Sequence, residues 1–280
     1  VSGGDDDDDE GIIAEIEHLP VVDGSALHHQ VPPNKWCVTL EDLRRFQRIV
    51  RKYMKEGKIV PTEMDNFSVS DFVIGPSIHT VNAQLIKPIT HGAGDPSWAL
   101  MLHPDGLVCD LFFTHGWSEG VFEFLSKAIS SWPIGATHAY VCFLSNPQNL
   151  DIGDMISTPT ESPFAYALTS ARFMLAVPNN RVSIYSRIWV VYEAFLACRL
   201  GKHILIASPP MNDFWRRLSF QVRVVMTIFG ICSLVCASIV CIDWTSGVFG
   251  KNLYGAILVP LRYVRMAMWA ITSSLAVLYY

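Results

Sequence analysis

Residues 186–201, SRIWVVYEAFLACRLG, have the pattern of a helix that is apolar on nearly every side. Ser186 is a good N-cap residue, and Gly201 favours the left-handed turn that ends many helices. Within residues 188–198 the only charged side chain is that of Glu193. Because a helix that is apolar all round is usually buried, the sequence predicts that this helix lies inside the fold and carries Glu193 with it.

A buried carboxylate such as Glu193 is unfavourable unless it finds a partner. The side chains three or four residues away on the same helix are all uncharged, namely those of Trp189, Val190, Leu196 and Ala197. Glu193 therefore either faces a pocket or pairs with a cation from another segment, for which the nearby candidates are Arg181, Arg187 and Lys202. Perturbed carboxylates cluster at functional sites, so Glu193 is the first candidate site residue.

The composition limits the class of protein. Half of the 280 residues are hydrophobic, 17% are charged and the mean hydropathy is +0.28, which is more apolar than usual for a soluble protein. The net charge is −5, much of it from the aspartates at residues 5–9, and this balance predicts no nucleic-acid partner. Seven cysteines show no metal-ligand or disulfide-scaffold spacing, which suits a reducing compartment and predicts no metal site. Since the chain starts at Val1 and stops in an apolar run, we expect a fragment.

Residues 1–35 are expected to form a flexible, disordered acidic leader, and residues 36–106 a basic helix with a loop-rich lead-in. The helix is predicted over residues 39–58, where Thr39 and Asp42 have the spacing of a capping box. One side is apolar at helical spacing, and the other side is basic, with Arg44, Arg45, Arg48, Arg51, Lys52 and Lys55. Such a helix either has a solvated basic face or rests on an anionic membrane surface.

Residues 107–208 have the pattern of an α/β domain. Apolar runs of strand length occur at residues 107–114, 138–144, 173–177 and 203–207, with helical patterns between them. This alternation predicts a parallel sheet with helices on both faces. Ligands of such sheets bind beyond the carboxyl ends of the strands. The residues that fall at this edge are His115, Trp117, Asn146 and the first residues of the Glu193 helix.

The chain beyond the α/β domain is predicted to enter a membrane. Residues 209–223 form a polar linker, and residues 224–242 are nineteen uncharged residues, enough for one crossing at about 1.5 Å per residue. Residues 254–280 are apolar again but contain two arginines, so either a second span begins near Met266 and is cut off, or the first part is interfacial. The cysteines and the basic helix favour a cytosolic location for the α/β domain.

Residues 186–193, SRIWVVYE, resemble the S-x-W-C-x-x-E signature of Toll/interleukin receptor (TIR) domains. Trp189 and Glu193 match, whereas Val190 stands at the cysteine position. The segments DLFFTHGW, FMLAVPNN and KHILIAS also resemble TIR strands in order. Together they resemble a TIR-related group of algal and protist proteins in which this domain can be joined to transmembrane segments. The resemblance covers about residues 107–208, without the usual fifth strand or the usual acidic end of the second strand.

The resemblance implies a flavodoxin-like fold that either assembles with other TIR domains or cleaves NAD. In the enzymatic members the helix carboxylate corresponds to Glu193, which would stabilise positive charge on the ribose as nicotinamide leaves. Trp117 would stack on a flat ring, and the other candidate ligand-binding residues are His115, Ser186, Arg187 and Trp189. The structural alternative is that the two tryptophans are core anchors and His115 stabilises a turn. No cofactor is implied, since NAD would be a substrate.

Three functions are compatible with these patterns. The first is a membrane-anchored TIR-like signalling module that acts by protein–protein assembly, with membrane lipid and further copies of the domain as partners. The second is an NAD glycohydrolase that uses Glu193. The third is a cytosolic regulatory domain of a channel or transporter. A cleft shared by Glu193 and Trp117 would favour catalysis, whereas a buried ion pair of Glu193 would favour a scaffold.

Overall fold

The computed structural model describes residues 16, 19–179, 183–184 and 187–210, together with 222, 223, 226, 227 and 230. The chain divides into two units, residues 1–210 and residues 211–280. Among the described residues, the apolar core of the first unit extends from Ile16 to Ala207.

The first unit contains a five-stranded sheet in the order β1-β3-β2-β4-β5. The strands are β1 (Val38–Thr39), β2 (Leu111–Thr114), β3 (His138–Tyr140), β4 (Phe173–Ala176) and β5 (His203–Ile206). Strands β2 to β5 are parallel, which confirms the predicted α/β alternation. The sheet is nevertheless mixed, because β1 comes from the lead-in and pairs antiparallel with β3.

Ten α-helices are described in this unit. They are α1 (Gly24–Gln30), α2 (Leu40–Lys55), α3 (Ile78–Val81), α4 (Lys87–Gly92), α5 (Trp98–Leu102), α6 (Val121–Ser130), α7 (Cys142–Ser145), α8 (Gly153–Ile156), α9 (Pro163–Ser170) and α10 (Ile188–Arg199). A π-helical turn, Asn82–Ile86, joins α3 to α4, and short 3-10 turns occupy Pro33–Lys35 and Pro159–Glu161.

Successive strand residues face two different apolar clusters, as the pleat of a sheet requires. Leu111 and Phe113 of β2 belong to a cluster with residues of α2 and α6, whereas Phe112 between them belongs to a cluster with residues of α9 and α10. The central strand β2 is therefore buried on both faces, and the burial of these two clusters is the main stabilising contribution to the unit.

The lead-in is more ordered than the sequence predicts. Part of the expected flexible leader is the helix α1, which begins where the Asp23 carboxylate accepts a hydrogen bond from the Ala26 amide at 2.9 Å. Trp36 and Trp98, in the expected loop-rich region, are fully buried. The physical reason is burial: the apolar residues of the lead-in complete both sides of the core, so this segment belongs to the α/β unit.

Helix α2 begins with the predicted capping box. The Asp42 amide donates to Thr39 Oγ1 at 3.1 Å, and the Thr39 amide donates to Asp42 Oδ2 at 2.7 Å. The apolar side of α2 is buried in the core, with Leu43, Phe46 and Val50 fully covered. Only the basic side therefore remains outside the core. The apolar side of α2 is not available to insert into a membrane, so the predicted lipid contact would depend on charge attraction alone.

Three predicted boundaries differ from the observed ones. Strand β2 begins at Leu111 and not at residue 107, and β3 ends at Tyr140, where the chain turns into α7. Between these strands the sequence predicts a helix capped by Ser118, but helix α6 begins after Gly120. A side chain at position 120 would lie 2.2 Å from the Ile74 carbonyl oxygen, so this close backbone approach favours glycine and places the helix start there.

No helix within the described residues is long and apolar enough to cross a membrane. The predicted span at residues 224–242 falls outside the described part of the chain except at residues 226, 227 and 230, and the possible second span, to residue 280, lies wholly outside it. The linker at residues 209–223 is described only at 209, 210, 222 and 223.

Candidate functional site

Polar side chains from separate segments meet at the carboxyl ends of β2 and β3. Thr114 is the last residue of β2, and His115 and Trp117 follow it directly. Cys142 comes two residues after the end of β3, and Glu193 lies in the second turn of α10. Because β2 and β3 are parallel, their carboxyl ends open at the same edge, where ligands of α/β sheets commonly bind.

Glu193 is buried and bound to the end of the central strand. The Thr114 hydroxyl donates a hydrogen bond to Glu193 Oε2 at 2.5 Å. Burial raises the pKa of Glu193 to about 7, while the Thr114 hydrogen bond and the charges of His115 and Arg187 act in the opposite direction. A carboxylic acid with this pKa changes its charge near neutral pH, which ordinary glutamates do not do.

Arg187, a candidate partner of Glu193, is bound elsewhere. Its Nη1 atom donates to the backbone oxygen of His115 at 3.1 Å, and no salt bridge of Glu193 is found between described residues. Arg187 thus fixes the loop after β2 and influences Glu193 only through its charge.

The Glu193 side chain does not open into a described cleft. An open depression of about 500 Å³ is lined by Ser170–Phe173, Leu200–His203 and Leu205, at the amino ends of β4 and β5 and thus at the opposite edge of the sheet. A smaller cavity of about 20 Å³ lies beside α2 and α5. Neither of these two depressions borders Glu193 or Trp117, and Thr114, His115, Cys142 and Glu193 are themselves buried, so the polar cluster is closed.

His115 is the centre of a second buried chain of contacts. Its Nδ1 atom lies 2.9 Å from Glu119 Oε1 and 3.1 Å from the Gly116 backbone oxygen, and its Nε2 atom lies 3.2 Å from Cys142 Sγ. The Trp117 indole Nε1 donates to the same sulfur at 3.1 Å. Trp117 therefore contacts Cys142 and does not share a cleft with Glu193.

The electrostatics of this chain favour a charged imidazole. Burial lowers the pKa of His115, but Cys142 and Glu119 more than compensate and raise it to about 10. Burial raises the pKa of Glu119, against the hydrogen bond and charge of His115. A buried histidine between two acidic groups is stabilised as the cation by both of them.

Two of the predicted ligand-binding residues lie apart from this cluster. Ser186 falls outside the described residues. Trp189 is half-buried, with its ring centroid 5.1 Å from that of Phe164 and 6.0 Å from that of Tyr192. Its surroundings are those of a partly covered aromatic packing residue on α10.

The sequence analysis did not identify three members of the cluster, namely Thr114, Glu119 and Cys142. The only signal for Thr114 in the sequence is its position at the end of the first predicted strand. Cys142 was hidden because the second strand was predicted to continue to residue 144. The four-residue spacing of His115 and Glu119 is a signal that could have been used, although the two residues are not on one helix.

Among the described residues, no group of three or more histidine, cysteine, aspartate or glutamate side chains is arranged to hold a metal ion. Comparisons with protein-family models, with curated proteins and with solved structures give no significant match. The resemblance to TIR domains therefore depends on the motif residues quoted from the sequence.

Replacing Glu193 with glutamine should change how stability depends on pH. The folded-state pKa of about 7 lies above the unfolded value, so folding binds a proton between these two values and wild-type stability falls as the pH rises through that window. Glutamine keeps an acceptor for Thr114 and has no charge to bury. We expect the variant to gain about 3 kcal/mol relative to wild type between about pH 4.3 and pH 7.

The measurement is urea unfolding of residues 1–210 at several pH values. Glu161→Gln, at an exposed glutamate, is the matched control and should follow the wild-type curve. Parallel pH curves for wild type and Glu193→Gln would show that Glu193 does not bind this proton.

Proposed function

We propose that residues 107–208 form a TIR-like signalling module that acts by protein–protein assembly. The strand order β3-β2-β4-β5, all parallel, supports a flavodoxin-like fold, in which the strand order reverses beside the first strand of the set. Helices α6 on one face and α9 and α10 on the other agree with this proposal, and so does the position of Glu193 on the helix before the last strand.

The observation that carries the proposal is an exposed apolar face, formed by one side of α10 and the edge strand β5. On α10 the exposed apolar residues are Ile188, Val191 and Phe195, and all four residues of β5 are exposed, including Ile204, Leu205 and Ile206. Ile204 pairs with Met174 and Ile206 pairs with Ala176, so both isoleucines share the face that α10 covers. Exposed apolar residues on neighbouring elements, as here on α10 and β5, are typical of interaction sites.

The partner that fits this surface best is a second copy of the module. Within the described residues β5 pairs only with β4, so its outer edge presents unpaired backbone groups. The opposite edge is the two-residue strand β1, which offers little to pair with. A two-fold axis beside β5 would set two β5 strands antiparallel and join both sheets, with the exposed side chains of α10 flanking the junction.

A membrane anchor would favour such assembly. Residues 224–242 carry no charged side chain over nineteen residues, which is the basis for proposing a span that places the module at the cytosolic surface. Confinement to a membrane raises the effective concentration of modules, so a weak contact through β5 would suffice. The basic side of α2 is proposed to contact anionic lipid.

A second candidate function is NAD cleavage by Glu193. A carboxyl group with a pKa of about 7, near Arg187 at the carboxyl edge of the sheet, favours it. Because the cluster is closed, catalysis would require the loop after β2 to move, and assembly is one way to drive such a movement. Regulation of a channel or transporter stays a prediction, since it depends on the chain after residue 210.

Changing Ile206 to glutamate should weaken self-association. Ile206 is 76% exposed, so the charge leaves the fold intact, but it would be buried without a partner in a dimer joined through β5. We expect the dissociation constant of residues 1–210 to rise at least about tenfold in sedimentation equilibrium. Ile134→Glu is the control, because Ile134 is fully exposed in the loop before β3. A wild type that stays monomeric, or equal effects of the two variants, would contradict the proposal.

The proposed span predicts that glycosylation tags placed before residue 224 and after residue 242 of the full chain report opposite sides of the membrane. Only the tag after residue 242 should be modified if the module is cytosolic. Modification of both tags, or of the first alone, would remove the cytosolic anchor from the proposal.

The enzymatic candidate predicts nicotinamide release from NAD by concentrated wild-type protein, with a loss of roughly a hundredfold in Glu193→Gln. Glu161→Gln again serves as the control, and thermal melting shows whether the fold is kept. No release by the wild-type protein, under conditions in which it self-associates, would leave assembly as the function.

A further inference from the structure

Cys142, His115 and Glu119 form a continuous buried chain of polar contacts, and neither Cys142 nor Glu119 has a part in assembly or NAD cleavage. Cys142 Sγ lies 3.2 Å from His115 Nε2, and His115 Nδ1 lies 2.9 Å from Glu119 Oε1. Two segments supply these groups: Cys142 begins α7 after β3, and His115 and Glu119 both lie in the loop between β2 and α6. A sulfur, an imidazole and a carboxylate in this order are the arrangement that activates a thiol for nucleophilic attack.

The hydrogen-bond geometry favours a thiolate at Cys142. His115 Nδ1 faces two acceptors, the Glu119 carboxylate and the Gly116 backbone oxygen, and therefore carries a proton. The Trp117 indole can only donate, and it donates to Sγ at 3.1 Å. With a second proton on Nε2, the sulfur accepts from two N–H groups, which stabilise its negative charge.

The carboxylate at the other end of the chain holds the imidazole in its charged form. Glu119 is fully buried, and its Oε2 atom has no hydrogen-bond partner among the described residues. Its Oε1 atom contacts His115, so the positive charge of His115 is the nearest compensation for this buried carboxylate. Glu119 thus orients His115 and favours the imidazolium that pairs with Cys142.

Other ionisable groups lie around this chain. Tyr140 of β3 faces Cys142, and burial together with the negative charge of Cys142 raises the pKa of that tyrosine. Glu123 and Lys127 of α6 act on Glu119, and they pair with each other at 2.7 Å. Glu193 interacts with His115 through its charge, and Arg187 Nη1 donates to the His115 backbone oxygen at 3.1 Å.

Access to the sulfur limits the class of reactant. Cys142 is 9% exposed, so only a small part of this residue is open to a reactant. A peptide or a nucleotide is bulky for so small an opening. A small, uncharged molecule that carries its own leaving group fits this limited exposure, and hydroperoxides have these properties.

We propose that Cys142 is a peroxide-reactive thiolate, with His115 as its proton donor and Glu119 as the residue that positions His115. The Cys142 sulfur attacks one oxygen of the hydroperoxide, an S–O bond forms and the O–O bond breaks. The departing oxygen takes the proton from His115 Nε2 and leaves as water, or as an alcohol if the peroxide is organic. The sulfur is oxidised by two electrons to a sulfenic acid, and the peroxide is reduced by the same two electrons.

The test compares cysteines within one full-length chain. Purified protein is treated with hydrogen peroxide at pH 6, sulfenic acid is trapped with dimedone, and the labelled peptides are quantified by mass spectrometry. Exposure alone predicts that exposed Cys198 reacts first and that buried Cys37, Cys109 and Cys142 react slowly. The proposed thiolate predicts the reverse order for Cys142, which should react at least about tenfold faster than Cys198, because an ordinary thiol is almost fully protonated at pH 6.

The pH dependence gives a second, independent readout. The proposed pair of Cys142 with charged His115 predicts a Cys142 rate that changes by less than about threefold between pH 6 and pH 8, while a thiol that deprotonates in this range reacts faster with each rise in pH. A Cys142 rate no greater than that of Cys37 or Cys109, or one that rises with pH in parallel with Cys198, would overturn the proposal.

Glu119→Gln tests the positioning residue. Glutamine keeps an acceptor for His115 Nδ1 but removes the charge, so the Cys142 rate should fall about tenfold at pH 6 and recover at pH 8.5. The Cys198 rate should be unchanged, and Glu161→Gln should behave as wild type. An unchanged pH profile in folded Glu119→Gln would overturn the role of Glu119, and if this variant does not fold, the order of the wild-type rates still decides whether Cys142 is the reactive thiolate.

Discussion

The structure depends on the burial of β2 at the centre of the sheet. This strand is paired on both edges, with β3 and β4, and covered on both faces, so each of its four residues is inaccessible to solvent. Its last residue, Thr114, is polar, and the loop behind it buries two further polar residues, His115 and Glu119. Polar groups in such a place must bind one another, because no water reaches them. The hydrogen bond from Thr114 to Glu193 and the contacts of His115 with Glu119 and Cys142 provide such partners for these buried groups.

The same burial connects segments that are distant in the chain. Glu193 connects α10 to β2, and Arg187, the residue before α10, donates a hydrogen bond to the His115 backbone oxygen. Cys142 brings the end of β3 to the same imidazole. A change of charge at any of these groups would shift the pKa of its ionisable neighbours, since charges interact strongly where the surroundings exclude water. The closed polar cluster is therefore one electrostatic unit.

The two edges of the sheet, β1 and β5, differ in how far they are covered by the rest of the chain. At one edge the lead-in supplies β1, which pairs with β3, and apolar residues such as Trp36 and Trp98 complete the core. At the other edge β5 and the outer side of α10 remain exposed and apolar. An exposed apolar edge strand is unusual in an isolated protein, because it pairs readily with another strand. This asymmetry supports assembly as the proposed function.

The α/β alternation, the parallel strands and the capping box of α2 could be predicted from the residues alone, because hydrophobic periodicity and capping are local properties. The same reasoning identified Glu193 as a carboxylate in an apolar helix. The partner of that carboxylate, the pairing of β1 and the chain from Cys142 through His115 to Glu119 are visible only in the folded structure. These features join residues from different segments, and no local pattern encodes which strand ends meet at one edge of a sheet. Trp189 shows the same limit: an apolar pattern predicted burial, but only the packing against Phe164 shows that the ring is half-covered.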